Sequence, residues 1–184
     1  MKISIIVPHS AVQLNAVRDL MRSFTRWHRQ SHPADLALID RYFDAAAFAA
    51  ELASLPGKYA PPDGQLLLAR ADGAAAGCVA LRRIDASTCE MKRMFVYPEY
   101  HGRGVGRALG EAIVEEARTL GYSRMRLDTS FRQQDALRLY QRLGFQSIQP
   151  YYELPDDLRN WLVFMELALA PRPAQEMGIR KAAA

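Results

Sequence analysis

At 184 residues, with 49% hydrophobic and 24% charged side chains, the chain has the length of one domain and the composition of a folded globular protein, which excludes disorder, collagen and coiled coil. A chain this long buries roughly 70% of its unfolded surface, so its core needs no disulfide or metal staple. Lys plus Arg number 24 against 20 Asp plus Glu, and the resulting charge of +4 suits an anionic ligand while being too weak and dispersed to mark a nucleic-acid surface.

Ile3 to Val7 is a short β-branched run ended by Pro8 and reads as a first strand. The opening Met1 to Val7 is shorter than the ~7–15-residue apolar segment of a signal peptide. Nothing downstream approaches the ~20 apolar residues of a membrane span, so the expected location is the cytoplasm. Ala11 to Gln30 carries Leu14, Val17, Met21 and Phe24 at helical spacing. His28 and His32, four apart, read as a solvated helix end: Pro33 stops the helix, no third ligand stands nearby, and no metal is expected. A second helix is expected from Asp44 to Leu55, with Asp44 as cap and Pro56-Gly57 as stop. Lys58 to Gly64 reads as a loop.

Gln65 to Arg70, Ala74 to Ile84 and Cys89 to Tyr97 read as strands of an antiparallel meander. Cys78 and Cys89 sit in these strands with no histidine partner in sequence reach, which argues against a nucleophile. Past Pro98 a glycine-rich turn opens a helix to Leu120, with Leu109, Ala112, Ile113, Ala117 and Leu120 on its inner face and Gly121 as stop. Arg124 to Thr129 reads as a strand, Gln133 to Leu143 as a helix, Phe145 to Ile148 as a strand start and Trp161 to Ala168 as the last strand. The order β-α-α-β-β-β-α-β-α-β-β makes an α/β domain of α+β type over residues 1–170, around a mixed, mainly antiparallel sheet. From Pro171 the composition reads as a frayed tail over 171–184.

The most informative segment is His101-Gly102-Arg103-Gly104-Val105-Gly106-Arg107, between a strand and a helix. Alternating glycines let the backbone approach a ligand and turn its amides toward one point. The helix behind them adds open N–H groups and the positive end of its dipole. The segment reads as a phosphate or pyrophosphate cradle, with a plain turn before a helix as the alternative. It is not a dinucleotide fingerprint: counting from Gly102 puts Arg107 in the third glycine's place, and counting from Gly104 puts Leu109 there. No P-loop run exists either.

The segment RMFVYPEYHGRGVGRAL, within Met91 to Leu109, resembles the acetyl-coenzyme A loop, Gln/Arg-x-x-Gly-x-Gly/Ala, of the GNAT superfamily of N-acetyltransferases. ALRLYQRLGF, from Ala136 to Phe145, resembles the superfamily's second signature, Ala-x-x-Leu-Tyr-x-x-x-Gly-Phe. The two stand in the superfamily's order, one strand apart. This chain departs from the pattern with His101 at the loop's first position, where a neutral imidazole still donates one hydrogen bond. It departs again with Gln133 where many relatives carry Asn.

The resemblance implies a GNAT fold, with helices on both faces of the sheet. It implies acetyl transfer from acetyl-coenzyme A to a primary amine by direct attack in a ternary complex. A coenzyme A-binding module without chemistry is the alternative. In the superfamily the strand equivalent to Met91–Tyr97 splays from its neighbour at a bulge. Main-chain groups of Met94, Phe95 and Val96 are then expected to hold the pantetheine arm, an amide at or near Val96 polarising the thioester carbonyl. Gly102, Arg103, Gly104, Val105, Gly106 and Arg107, with His101 and Gln133, are expected to hold the rest of the coenzyme.

Tyr140 is the expected general acid, although Ala136, Leu139, Tyr140 and Leu143 share one helix face and also fit a core. Glu90 precedes His101 by the separation of a catalytic carboxylate in the histone-acetylating branch and is the expected base. A strand charge paired with Lys92 is the alternative. Tyr151, Tyr152 and Glu153 resemble the superfamily's acceptor-side loop, with Glu153 expected to attract a cationic amine or, in a turn with Pro155, to be only an exposed charge. The expected acceptor is a small-molecule amine, with no nucleic acid or membrane partner. A homodimer fits the superfamily's habit.

Overall fold

The computed structural model describes residues 1–169, so the tail expected over 171–184 lies outside the described residues. In chain order the elements are β1 (Ile3–Ile6), α1 (Ala11–Ser31), α2 (Leu36–Tyr42), α3 (Ala45–Ser54), β2 (Gln65–Ala71), β3 (Ala74–Arg83), β4 (Thr88–Val96), α4 (Val105–Thr119), β5 (Arg124–Ser130), α5 (Gln134–Arg142), β6 (Gln146–Ile148), α6 (Asp156–Trp161) and β7 (Leu162–Ala168). Local chemistry sets several of these bounds. Ser10 and Gln13 form a reciprocal capping box at the start of α1. The Asp44 side chain accepts from Ala47 N at 2.8 Å and starts α3, as its sequence position predicts.

The strands form one sheet in the order β1-β2-β3-β4-β5-β7-β6. The β4–β5 pair is parallel and the remaining neighbours are antiparallel, so the mixed, mainly antiparallel sheet is present. Alternation along the strands sorts side chains to two faces. Leu67, Val79 and Leu81 pack in one cluster with Leu109 and Ile113 of α4 and Tyr140 of α5. Leu66, Leu68, Cys78 and Ala80 pack in another with Val17, Leu20 and Met21 of α1 and Leu52 of α3. Each buried leucine contributes about 1.5–3 kcal/mol, and both faces are covered.

Two helices depart from the expected order. α2 has 7 residues and α6 has 6, too few for a helical period to stand out in sequence. They pack together: Ile39 of α2 joins Leu158 and Trp161 of α6 in a third cluster with Phe164 of β7. Trp161 therefore ends a helix instead of beginning the last strand.

The feature that positions the site is a parting of strands. β4 pairs with β5 only through Thr88–Glu90 against Arg124–Arg126, although β4 continues to Val96 and β5 to Ser130. Over the same stretch β4 bulges against β3, where the register shifts between Cys78 and Ala80. Arg93 sits in this bulge at φ 58°, a left-handed conformation that costs a side-chain-bearing residue about 1–2 kcal/mol. The Arg93 guanidinium holds it there, gripping both carboxylate oxygens of Glu51 on α3 at 2.6 and 2.9 Å.

Candidate active site

The loop after β4 delivers the chain to α4 through Gly102 at φ 71° and Gly104 at φ 85°, and Gly104 is the N-cap. Among the described residues no side chain caps this helix, and its first turn holds no acidic residue. The first main-chain bond runs from Ala108 N to Gly104 O at 3.0 Å. The N–H groups of Val105, Gly106 and Arg107 thus have no acceptor within the helix and form an open donor set at the positive dipole end. Arg107 is exposed and pairs with Glu111 at 2.7 Å.

His101 behaves differently from expectation. Its Nε2 lies 2.9 Å from Val96 O, and a ring nitrogen facing a carbonyl there carries the hydrogen. A neutral imidazole spends its one N–H inside the loop. The expected donation from a neutral His101 to phosphate is therefore corrected: only the imidazolium has a second N–H, on Nδ1, to offer a ligand.

Where β4 and β5 part, a thin slot of about 40 Å³ opens, with Met94 on one wall and Asp128, Thr129 and Ser130 on the other, closed by Gln133 and Tyr140. Tyr140 is 5% exposed and its ring packs on Phe145 at 5.9 Å. Burial, and then Asp128, push its phenol well above the ordinary value, so it keeps its proton at neutral pH. The core reading and the slot reading of Tyr140 hold together. Phe95 turns its side chain into the cluster beneath α1, and its main chain pairs with Cys78 of β3.

Beside the slot lies a wider cleft of about 440 Å³, lined by Glu90, Arg82, Tyr151, Tyr152, Lys58 and Arg41 among others. Tyr42, Lys92 and Arg93 line both cavities. Lys92 Nζ stands 2.7 Å from Asp128 Oδ1, 3.0 Å from the Tyr42 hydroxyl and 3.6 Å from Glu90 Oε1. The Tyr42 hydroxyl donates to the other Asp128 oxygen. Burial opposes the Lys92 charge, but Tyr42, Asp128 and Glu90 outweigh it and hold its pKa well above the usual value. Burial likewise opposes the Asp128 anion, and Lys92 outweighs that, keeping its carboxyl low. The pair stays ionised.

Glu90 is 1% exposed. Arg82 Nε donates to its Oε2 at 2.5 Å and the Tyr151 hydroxyl donates to its Oε1 at 2.7 Å. The Lys92 pairing that was the alternative reading exists, yet it is the longest of the three contacts.

The structure thus brings Glu90, Tyr152 and Tyr140 to the two adjoining cavities, with Met94 and Gln133 at the slot. Glu153 is exposed and lines neither of these two cavities, while its neighbours Tyr151 and Tyr152 line the wide cleft. The Gln133 amide reaches His28, Nε2 to Nε2, at 2.7 Å. His28 is also a correction: it is 1% exposed, not a solvated helix end. Burial, then His32, lowers its pKa to about 4. Sequence reasoning missed Tyr42, Arg82 and Asp128, and it placed Tyr151 in the acceptor-side loop without its bond to Glu90. Asp128 had a signal, since it shares a strand face with Arg126 while Met125 and Leu127 take the other. Tyr42 had none, because its helix was not legible.

Residues 14–145 match the model of the acetyltransferase (GNAT) family, and the chain belongs to that family. It is an acetyl-coenzyme A-dependent acetyltransferase. It is 44% identical over 122 residues to an uncharacterised N-acetyltransferase of Schizosaccharomyces pombe, covering 65% of this chain and 73% of that protein. It is 38% identical over 112 residues to an IAA acetyltransferase of Azospirillum brasilense, covering 60% and 71%. The solved structure of an acetyltransferase from Streptococcus agalactiae superposes with a TM-score of 0.68 at 25% identity, covering 91% of this chain and 98% of that one. No described helix is long and apolar enough to cross a membrane.

Proposed function

We propose that the chain transfers the acetyl group of acetyl-coenzyme A to a primary amine of a small-molecule acceptor by direct attack. The observation that carries this reading is the parting of β4 from β5 beyond Glu90, which opens a thin slot beside a wider cleft on the strand that leads through the glycine loop to the uncapped N-terminus of α4. The residues fit the coenzyme. The open amides of Val105, Gly106 and Arg107 suit a pyrophosphate. Beyond Glu90 the β5-facing edge of β4 has no strand partner, and along Met94–Val96 that edge suits an extended, amide-bearing arm that pairs as a short strand would.

When bound, the coenzyme supplies an acetyl group activated as a thioester. The protein's tasks are orientation and proton handling. A β4 amide at or near Val96 donates to the carbonyl oxygen as charge builds there. Glu90 takes the amine's proton through Tyr151, whose hydroxyl passes its hydrogen to Oε1 while its oxygen accepts one from the amine. Tyr140 donates its phenolic proton to the departing sulfur. One C–N bond forms, one C–S bond breaks, and an acceptor arriving as ammonium leaves one net proton behind.

Release of free coenzyme A thiol with a panel of amines tests the reading. Turnover with at least one primary amine supports it. Coenzyme binding with no turnover across the panel would leave a binding module in its place.

A further inference from the structure

The wide cleft has a charge pattern that the transfer reaction does not use. Its lining carries five cations, Arg41, Lys58, Arg82, Lys92 and Arg93, against the single carboxylate of Glu90. The counter-charges of Arg41, Lys58 and Arg93, on Asp157 and Glu51, lie outside that lining. The cations are graded by depth. Arg41, Lys58 and Arg82 are 54%, 45% and 40% exposed at the mouth, while Lys92 and Arg93 are 14% and 11% exposed at the floor. Glu90 lies at that floor, 1% exposed.

The mouth residues keep donors in reserve. Arg82 meets Glu90 through Nε, and Arg41 meets Asp157 through one terminal nitrogen. A guanidinium has five N–H donors in a planar fork that matches a carboxylate. Lys58 has three donors and gives one to Glu51. A ligand that fits this gradient has its amine at the floor and a planar anion at the mouth. A polycation meets repulsion there instead.

We infer that the acceptor is a primary amine that also carries a carboxylate, and that Arg41, Lys58 and Arg82 recognise that carboxylate. The inference rests on the acetyl-transfer reading and narrows it to a substrate class. Arg41 serves recognition only, and Lys58 also gives one donor to Glu51 beside the two of Arg93; Arg82 positions Glu90, so it is left out of the variants.

Thiol release is measured with free amino acids, including L-aspartate and L-glutamate, with their amides, and with spermidine. The free acids are expected to show kcat/KM at least tenfold above the amides, and the advantage is expected to shrink as salt rises. The amides lose their amine proton more readily, so a preference for the acids does not stem from amine basicity. The exposed Arg41–Asp157 pair adds little stability, and the buried Glu51 carboxylate keeps both of its Arg93 bonds without Lys58, so Arg41→Gln and Lys58→Gln are expected to fold. Each is expected to raise KM for the acids at least threefold with kcat and the amides' KM near unchanged, and Arg41→Lys is expected to recover part of the loss. Amides or spermidine turning over as well as the acids would overturn the inference while leaving acetyl transfer standing. So would an acid preference that both Gln variants leave intact. Coenzyme binding with no thiol release from any amine would overturn the transfer reading, and this one with it.

Discussion

In the proposed mechanism Tyr140 serves packing and chemistry together. Its ring lies on Phe145 in the core and its phenol lines the slot, so Tyr140→Phe removes only the oxygen. Coenzyme affinity measured by calorimetry is expected to stay within about twofold and turnover to fall at least tenfold, within the range of an acid's contribution. Equal turnover would remove the assignment. Gly104 makes a different test, because its φ of 85° strains any side chain by about 1–2 kcal/mol. Gly104→Ala is expected to weaken coenzyme binding at least fivefold, read by the same titration, with thermal stability slightly lower. At this scale the sequence was informative where a motif or a spacing constrained it: Tyr140 and Glu90 line the two cavities, and the glycines lead into the uncapped start of α4. It was silent on His101's contact with Val96 O and on the Glu90–Tyr151 bond, whose partners lie 61 positions apart and meet only through the fold.

The bulge of β4 depends on an element that sequence patterning places but does not connect to the site. Glu51 of α3 is gripped by Arg93 and also accepts from Lys58 and Tyr59. Burial pushes its carboxyl up, but Arg93, then Lys58 and Tyr59, bring it from the ordinary 4.5 down to about 2. Glu51→Gln leaves the left-handed Arg93 with an uncompensated buried charge, and breaking such a pair costs about 3–5 kcal/mol. Denaturant unfolding is expected to show a loss of that order, with coenzyme affinity falling as the bulge relaxes. A loss below about 1 kcal/mol would show that the pair does not hold the bulge. The helices α1, α3, α4 and α5 were legible because caps, glycine stops and apolar periods agree. The short α2 and α6 were not, because six or seven residues held by tertiary packing carry no period of their own. With α2 went Tyr42, which lines both cavities together with Lys92 and Arg93.

The whole molecule adds a pH dependence through His28, buried between α1 and Trp161 of α6. Its pKa falls from 6.5 to about 4, so the folded chain refuses a proton that the unfolded chain accepts. Stability is therefore full above about pH 6.5 and is lost as pH falls toward 4; Glu51 joins only below 4.5, where its ordinary carboxyl would protonate. Melting temperature is expected to drop between pH 6.5 and 4.5 in the parent, and the drop to flatten in His28→Gln. A parallel pH profile in the two proteins would assign the loss elsewhere. The sheet's class was readable from element order, whereas the place where it splits was expected only through the family resemblance, which put a splay and a bulge at Met91–Tyr97. That split depends on β4 and β5 pairing over three residues and then parting, a long-range fact that alternation within either strand does not encode.

The account depends on the parted strands and the helix behind them being the coenzyme's seat. A titration of the full chain with coenzyme A, followed by backbone amide NMR shifts, tests this directly. The largest shifts are expected at Gly102 to Arg107 and at Met94 to Val96, saturating together. Saturation with the largest shifts elsewhere, or no binding at millimolar coenzyme, would contradict it.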